Sequence, residues 1–304
     1  MQATCDNIRR LRPLLGTFVE VAAAGAGVPD LEAAVEVAFA VIGTVHRLMS
    51  FHDEASDVSC LNRGAFEAAT QVHPWTFQVL ETALDLYRRS NGMFDIRVAP
   101  ALQKLGLLPY HGGDLPRDAP LTSGHGEIEL LAGQRVRFHD RATRIDLGGI
   151  AKGFAVDRAI DTLREHGMPS GFINAGGDLA AFGQRGLVVT VRNPACPSRA
   201  LCQVALRDGA LASSGAGFDP LQSLDATRPM VIDPASGEPV RAVIGASVRA
   251  PSCLLADALT KIVMTGAEAS APLLRQFGAS ALFVAADGEV RISSGWQDAA
   301  VLAA

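Results

Sequence analysis

Residues 144–167, RIDLGGIAKGFAVDRAIDTLREHG, constrain the fold most, because they predict a strand, a glycine turn and a helix in direct succession. Gly148 and Gly149 form the turn, since glycine adopts backbone angles that other residues avoid. The helix is predicted to begin near Ile150 and to end at Gly167, a residue suited to a left-handed cap. Its apolar residues recur at helical spacing, at Phe154, Val156, Ile160 and Leu163.

The same stretch is a candidate phosphate site. Free N–H groups and the positive end of the helix dipole would face the turn, where an anion is favoured. Lys152 adds a full positive charge in the first turn, and Asp146 could bind a metal, a ribose hydroxyl or the N–H groups of the loop. The pattern is neither a P-loop nor a GxGxxG fingerprint. An ordinary strand-to-helix connection with a solvated lysine is therefore the alternative.

Composition sets outer bounds on the class of protein. The chain has 304 residues, of which 48% are hydrophobic, and can bury a large core as one domain or as two closely packed ones. We predict one domain over residues 1–304, with a possible surface excursion at 103–126. A net charge of −5 leaves no basic face for nucleic acid, so a small ligand or a protein partner is favoured. The five cysteines lack a zinc-type spacing and are expected to be idle thiols.

The N-terminal residues lack an apolar stretch of signal-peptide length, which predicts a cytoplasmic location, or an exported one if a leader has been removed. The apolar stretch 31–49 is interrupted by charged residues and predicts an amphipathic helix, with no membrane span.

The remaining patterns predict an α+β fold with mixed and antiparallel sheets and packed helices. The loop at 49–64 is either a surface connection or a lid over a site. Turns within predicted hairpins fall at Gly176-Gly177-Asp178 and at Asp287-Gly288. Further strands are predicted at 16–23, 127–139, 187–192, 201–207 and 242–249, and further helices at 30–49, 74–91 and 252–266.

Asp257, Thr260 and Lys261 fall at i, i+3 and i+4 of the last predicted helix and so share one of its faces. A carboxylate and a hydroxyl on one face can hold a magnesium ion, whose remaining ligands are phosphate and water. An Asp and a Lys at this spacing also form a plain helical ion pair, which is the alternative.

Seven motifs, in this order and at these separations, together resemble the FAD:protein FMN transferases, the ApbE-type flavin transferases. They are LLGTFVEV, MSFHDEASDVSCLNRG, GMFDIRVAP, IDLGGIAKGFAVDRA, FINAGGDLAAFG, VIDPASG and ADALTKIV. The resemblance implies an ApbE-like architecture and a magnesium-dependent enzyme that splits the pyrophosphate of FAD and releases AMP. FMN is then joined through a phosphoester to a threonine of a target flavoprotein. Some relatives instead hydrolyse FAD to FMN and AMP.

The resemblance also implies roles for individual residues. The metal ligands would be the Gly149 carbonyl, the Asp257 carboxylate and the Thr260 hydroxyl, and the catalytic residues would be Lys152, Asp257 and Asp233. Lys152 would hold the phosphates of FAD. The other FAD-binding residues would be Met49, Ser50, Asp146, Gly176, Gly177 and Asp178.

Several positions depart from the family pattern. Lys261 stands where the family usually has a threonine, so either Thr260 supplies the hydroxyl or the Lys261 ammonium takes over part of the charge neutralisation. Met230 replaces a histidine that could act as a base, which leaves Asp233, a nearby carboxylate or no base at all. His52 and residues 216–218 also differ. A binding protein that holds FAD or FMN without chemistry is therefore a further alternative.

Overall fold

The structure, a computed structural model, describes residues 6–25, 30–111, 126–183, 186–215, 231–298 and 300–301. The helices are α1 (Leu31–Met49), α2 (Asp57–Gly64), α3 (Pro74–Arg89), α4 (Ala99–Lys104), α5 (Ala151–Glu165), α6 (Cys253–Gly266) and α7 (Ala271–Gln276). The first seven strands are β1 (Asp6–Leu14), β2 (Thr17–Gly25), β3 (Thr70–Gln71), β4 (Ile128–Leu131), β5 (Arg135–Phe138), β6 (Ser170–Ala175) and β7 (Asp178–Phe182). The others are β8 (Leu187–Asn193), β9 (Cys196–Leu206), β10 (Gly209–Gly215), β11 (Val243–Ala250), β12 (Ser280–Ala285), β13 (Val290–Ile292) and β14 (Ala300–Val301).

The chain divides into two compact units. The first is drawn from Met1–Thr44, Lys152–Val231 and Val240–Ala304, and the second from Val45–Ala151 and Ile232–Pro239. The single domain predicted over 1–304 stays a prediction. Of the predicted excursion at 103–126, residues 112–125 lie outside the described residues.

The first unit contains an eight-stranded sheet in the order β1-β2-β6-β7-β10-β11-β12-β13. Neighbouring strands are antiparallel throughout. The β1–β2 hairpin closes at Leu15 and Gly16, which both have positive φ. Strand β6 turns into β7 at Gly176 and Gly177, as the sequence predicts.

A second sheet of the first unit has the order β14-β9-β8, and its buried side chains share a core with the large sheet. The largest member of this core is Trp296, which is 2% exposed. Helix α6 packs against β10 and β11, and ten of its fourteen residues are buried, which agrees with the apolar sequence of this segment.

The second unit combines α2, α3, α4 and the small sheet β3-β5-β4. A carboxylate ties two of its helices together: Asp57 of α2 accepts hydrogen bonds from the backbone N–H of His73 (2.9 Å) and from the Thr76 hydroxyl (2.6 Å). The segment 49–64, predicted to be a loop, contains the short helix α2, which follows its N-cap residue Ser56.

The strand predicted just before Gly148 is wrong. Strand β5 ends at Phe138, and the residues from Thr143 to Leu147 belong to no sheet. The Asn62 amide takes the place of a neighbouring strand, because it donates to the Ile145 carbonyl (2.9 Å) and accepts from the Ile145 N–H (2.8 Å). The N–H and carbonyl groups of Ile145 are thus hydrogen-bonded by a side chain, a substitution for a strand that hydrophobic patterning cannot reveal. Across the described ranges, no helix combines the length and the apolar character that a membrane span requires.

Candidate active site

Lys152 lies in the first turn of α5, where the sequence predicts a phosphate-binding cation. Its Nζ forms an ion pair with Oδ2 of Asp178, the first residue of β7. The Lys152 side chain is 32% exposed, whereas that of Asp178 is 1% exposed. The pair thus joins the start of a helix to the start of a strand, with the ammonium on the accessible side.

The second carboxylate oxygen of Asp178 has no assigned role. Oδ1 is buried and has no hydrogen-bond partner in the part of the chain that the structure describes. A buried polar atom of this kind is costly unless a donor reaches it. A ligand hydroxyl or N–H group would be a suitable donor.

Asp257 and Lys261 form a second ion pair on α6. The Lys261 ammonium contacts Oδ1 of Asp257 and also donates to the Asp257 backbone carbonyl at 3.1 Å. The Asp257 side chain is fully buried, and that of Lys261 is 18% exposed. The predicted i, i+4 spacing therefore produces a pair in the interior of the unit, unlike the usual pair on a solvated helix face.

Thr260 uses its hydroxyl within the protein. Oγ1 donates to the backbone carbonyl of Asp257 at 2.7 Å, the common back-bond of a helical threonine. It also pairs with Oγ of Ser214 in β10, at 2.7 Å. This contact ties α6 to the strand beneath it.

Helices α5 and α6 cap each other. Asp257 of α6 accepts the N–H of Gly153 in the first turn of α5 (3.1 Å). Asp157 of α5 accepts the first two N–H groups of α6, from Cys253 (2.7 Å) and Leu254 (2.9 Å). Each carboxylate thus satisfies N–H groups that have no partner within their own helix.

Gly153 lets the two helices approach closely enough for this arrangement. A Cβ atom at this position would lie 2.2 Å from the Cys253 carbonyl oxygen and 2.8 Å from the Asp257 Cβ.

Gly148 and Gly149 do not have positive φ, so the turn before α5 does not use the conformational freedom expected of these two glycines.

Four charges interact within the first unit: Lys152, Asp178, Asp257 and Lys261. Burial lowers the pKa of Lys152, but the carboxylates of Asp178 and Asp257 outweigh it and raise that pKa above its ordinary value. Burial raises the pKa of Asp257, but the charges of Lys261 and Lys152 bring it below its ordinary value. Burial, together with the Asp257 charge, raises the pKa of Asp178. The site therefore places two lysines beside two carboxyl groups, of which Asp257 has a lowered pKa and Asp178 a raised one.

The Gly176-Gly177 turn lies directly before Asp178. Both glycines have positive φ, 64° and 102°, which side chains rarely tolerate. A Cβ on Gly176 would lie 2.6 Å from Oγ1 of Thr17, whereas a Cβ on Gly177 would meet no described atom within 4 Å. Gly176 thus serves packing, and Gly177 leaves the backbone open to a ligand.

A divalent ion does not fit Asp257 and Thr260 as these side chains are arranged. Both carboxylate oxygens already accept protein donors, one from the Lys261 ammonium and the other from the Gly153 N–H. The Thr260 hydroxyl donates to the Asp257 carbonyl and pairs with the Ser214 hydroxyl. Of the two interpretations of position 261, the geometry favours charge neutralisation by the ammonium.

The other predicted residues lie in the second unit. Oδ2 of Asp146 accepts the N–H of Gly148 at 3.0 Å, one of the three roles expected of it. Met49 ends α1 and is buried, and the Ser50 hydroxyl accepts the N–H of His52 at 3.2 Å. Gly149, a predicted metal ligand, precedes α5 in this unit.

Asp233 shapes its own turn. Its carboxylate accepts the N–H of Ala235 (3.0 Å) and the Ser236 hydroxyl (3.1 Å), which closes the turn predicted from the Asp-Pro sequence. The predicted roles of all these residues in FAD and metal binding stay predictions. Met230, residues 216–218 and Cys5 lie outside the described residues.

Sequence reasoning missed Gly153, Asp157 and Ser214. The spacing of Gly153 and Asp157 on α5 matches that of Cys253 and Asp257 on α6, but the link between them is about a hundred residues long and leaves no local pattern. Glycine inside an otherwise helical pattern was the available signal, because it often marks close packing.

Comparison with known proteins identifies the family of this chain. A family model described as the ApbE family matches residues 15–283. A protein from Treponema pallidum named FAD:protein FMN transferase is 29% identical over 297 residues, which cover 88% of this chain and 82% of the relative. A protein of the same name from Rhodobacter capsulatus is 29% identical over 309 residues, which cover 95% of this chain and 58% of the relative.

Solved structures show the same fold. The ApbE protein from Thermotoga maritima superposes with a TM-score of 0.83 at 23% identity, and the alignment covers 96% of this chain and 98% of that protein. The flavin transferase ApbE from Vibrio cholerae gives a TM-score of 0.79 at 20% identity, with 97% and 99% coverage. The α+β class predicted from the sequence is confirmed. Because the family model spans most of the chain, this protein is a member of the ApbE family.

Proposed function

We propose that this protein is an FAD:protein FMN transferase, which cleaves the pyrophosphate of FAD and attaches FMN to a threonine of a target flavoprotein. Family membership and the names of the relatives from Treponema pallidum and Rhodobacter capsulatus support the activity. The observation that carries the proposal is the charged cluster of the first unit, in which two lysines accompany two carboxylates next to the open Gly177 turn.

Lys152 supplies the charge that the reaction needs. Its ammonium is held by Asp178, which leaves about a third of the side chain exposed to a ligand. Phosphoryl transfer depends mainly on positioning and on cations that stabilise charge on the phosphate oxygens. The Oδ1 atom of Asp178, which has no hydrogen-bond partner among the described residues, accepts a hydrogen bond from a hydroxyl of the nucleotide. Gly177 allows the ligand to approach the backbone.

The bonds change as follows. The threonine oxygen attacks the phosphorus on the FMN side of the pyrophosphate, and a new P–O bond forms. The bond from that phosphorus to the bridging oxygen breaks, and AMP leaves with the bridging oxygen and its electron pair. The threonine proton passes to a carboxylate, for which Asp233 is our candidate, or to solvent. In this scheme Met49 and Ser50 border the flavin, and Asp146 shapes the loop before α5.

Magnesium belongs to the function that the resemblance implies, with Gly149, Asp257 and Thr260 as its ligands. No step above is assigned to the metal, because the oxygens of Asp257 and Thr260 are already engaged.

The decisive experiment incubates the protein with FAD, with and without a flavoprotein fragment that carries an acceptor threonine. Transfer predicts AMP release together with a fluorescent fragment whose mass increases by that of FMN less one water molecule. The same fragment with its threonine replaced by valine should stay unlabelled. Release of AMP with free FMN and no labelled fragment would instead identify an FAD pyrophosphatase, and FAD binding without AMP would identify a flavin-binding protein.

A further inference from the structure

We propose that the Lys261 ammonium is the resident cation of this site and occupies the position on Asp257 that a divalent ion would need. The protein would then bind no divalent ion through Asp257 and would act on FAD without one. The part concerning FAD rests on the proposed function, whereas the part concerning the metal does not.

The contacts of Lys261 support a cation role. One ammonium bridges two oxygens of the same residue, the Asp257 carboxylate and its backbone carbonyl. Oxygen ligands of this kind are the ones that a hard cation selects. The other carboxylate oxygen accepts the Gly153 N–H, so Asp257 offers a metal no oxygen that is free of a donor.

Burial distinguishes this pair from an ordinary surface ion pair. The Asp257 side chain is fully buried and that of Lys261 is 18% exposed, whereas Asp85 and Arg89 form an i, i+4 pair in which both side chains are more than a third exposed. A buried carboxylate needs a permanent compensating charge. Lys261 therefore neutralises Asp257 in the absence of any ligand.

Lysine is rare in this chain, which makes its position informative. The sequence contains three lysines, Lys104, Lys152 and Lys261, among 27 lysines and arginines. Two of the three belong to the charged cluster. A lysine ammonium is a compact point charge, as a metal ion is, whereas arginine presents a broad planar fork. The choice of lysine at position 261 thus suits the replacement of an ion.

Metal binding is tested first with Mn²⁺ alone, on full-length protein treated with chelator, by electron paramagnetic resonance and calorimetry. We expect the unmodified protein to leave Mn²⁺ free and the Lys261→Thr variant to bind one ion per chain, because removal of the ammonium frees Oδ1 of Asp257. Adding Asp257→Asn to Lys261→Thr should abolish that binding, and Lys104→Thr should behave as the unmodified protein does. Stoichiometric binding by the unmodified protein that is lost in Asp257→Asn would overturn the proposal, whether or not the other variants fold.

Turnover is tested second, by AMP release from FAD in the presence of the acceptor-threonine fragment, with excess chelator and with added Mg²⁺. We expect the unmodified protein to release AMP at the same rate in both conditions, and Lys261→Thr to require the metal. Loss of AMP release on chelation of the unmodified protein would refute metal-independent action. Absence of AMP in every condition would refute the proposed function instead, and the Mn²⁺ result would still decide the role of Lys261.

Discussion

Asp157 and Asp257 both cap a neighbouring helix, yet their surroundings shift their pKa values in opposite directions. Burial raises the pKa of Asp157 to about 6, although the two backbone N–H groups that it accepts oppose the shift. Burial acts on Asp257 in the same sense, but Lys261 and Lys152 lower its pKa below the ordinary value. The charges of Lys261 and Lys152 thus account for the opposite direction of the pKa shift at Asp257.

This difference predicts opposite pH dependences of stability. Because the folded pKa of Asp157 exceeds its unfolded value of 3.8, the stability that this carboxyl contributes falls as pH rises from 3.8 to about 6. The unfolding free energy of the unmodified protein should therefore fall through this window relative to Asp157→Asn. Urea titrations at a series of pH values measure the difference.

Asp257→Asn provides the control of opposite sign. The lowered pKa of Asp257 means that its contribution is complete above pH 3.8 and is lost as pH falls through the folded value. A difference between the unmodified protein and Asp157→Asn that does not change between pH 3.8 and 6 would contradict the assignment.

At the scale of elements, the contact between α5 and α6 organises the site. Both lysines of the cluster lie on these helices, and each helix begins at a carboxylate that the other supplies. The exchange places Lys152 and Lys261 on helices whose ends are fixed against each other. The small size of Gly153 is the condition for this contact.

Gly153→Ala should therefore destabilise the protein, although alanine is the better helix former by about 1 kcal/mol. The new Cβ would lie 2.2 Å from a backbone oxygen, which cannot rotate away, and overpacking of this kind costs about 1–3 kcal/mol. Chemical denaturation measures the change in unfolding free energy.

Gly64→Ala is the matched substitution, because a Cβ at this helical position would lie at an ordinary 3.7 Å from Oγ1 of Thr70. It should be neutral or stabilising by up to about 1 kcal/mol. Equal effects of the two substitutions would show that the helices do not need the glycine.

The elements themselves were largely predictable, since their signals are local. Helix α6 follows from its Ser252 cap and apolar sequence, and the β6–β7 hairpin follows from its paired glycines. One wrong prediction and one omission arise where distant groups replace local ones. Ile145 pairs with the Asn62 amide where a strand was expected, and Gly153 accommodates a helix about a hundred residues away. The position of Lys152 in the first turn of α5 is predictable, because a lysine shortly after a glycine turn is a local pattern.

At the scale of the whole molecule, the net charge of −5 disfavours an anionic ligand. Binding of the FAD phosphates therefore depends on cations at the site itself. FAD should raise the melting temperature, because a ligand that binds the folded state stabilises it by about 2.7 kcal/mol at a hundred times its Kd. Lys152→Met should remove most of this shift, since a charged hydrogen bond to phosphate contributes about 1.5–3 kcal/mol. Differential scanning fluorimetry with and without FAD measures it.

Lys104→Met serves as the control for this measurement, because Lys104 is exposed at the end of α4. It should keep the full FAD-induced shift. The comparison uses the shift, not the melting temperature of the free protein, since Lys152→Met also leaves Asp178 buried without its cation. An undiminished shift in Lys152→Met would exclude Lys152 from FAD binding.

The reciprocal caps of α5 and α6 also fix how the helices can slide. A displacement of one helix along the other by a single turn, about 5.4 Å, would separate Asp157 from two N–H groups and Asp257 from a third. A smaller displacement would also break these bonds, because both carboxylates must lie within hydrogen-bond distance of their N–H partners at the same time. The two helices therefore have one permitted axial register, and the distance between the backbones of Lys152 and Lys261 is set by hydrogen bonds at both ends of the contact.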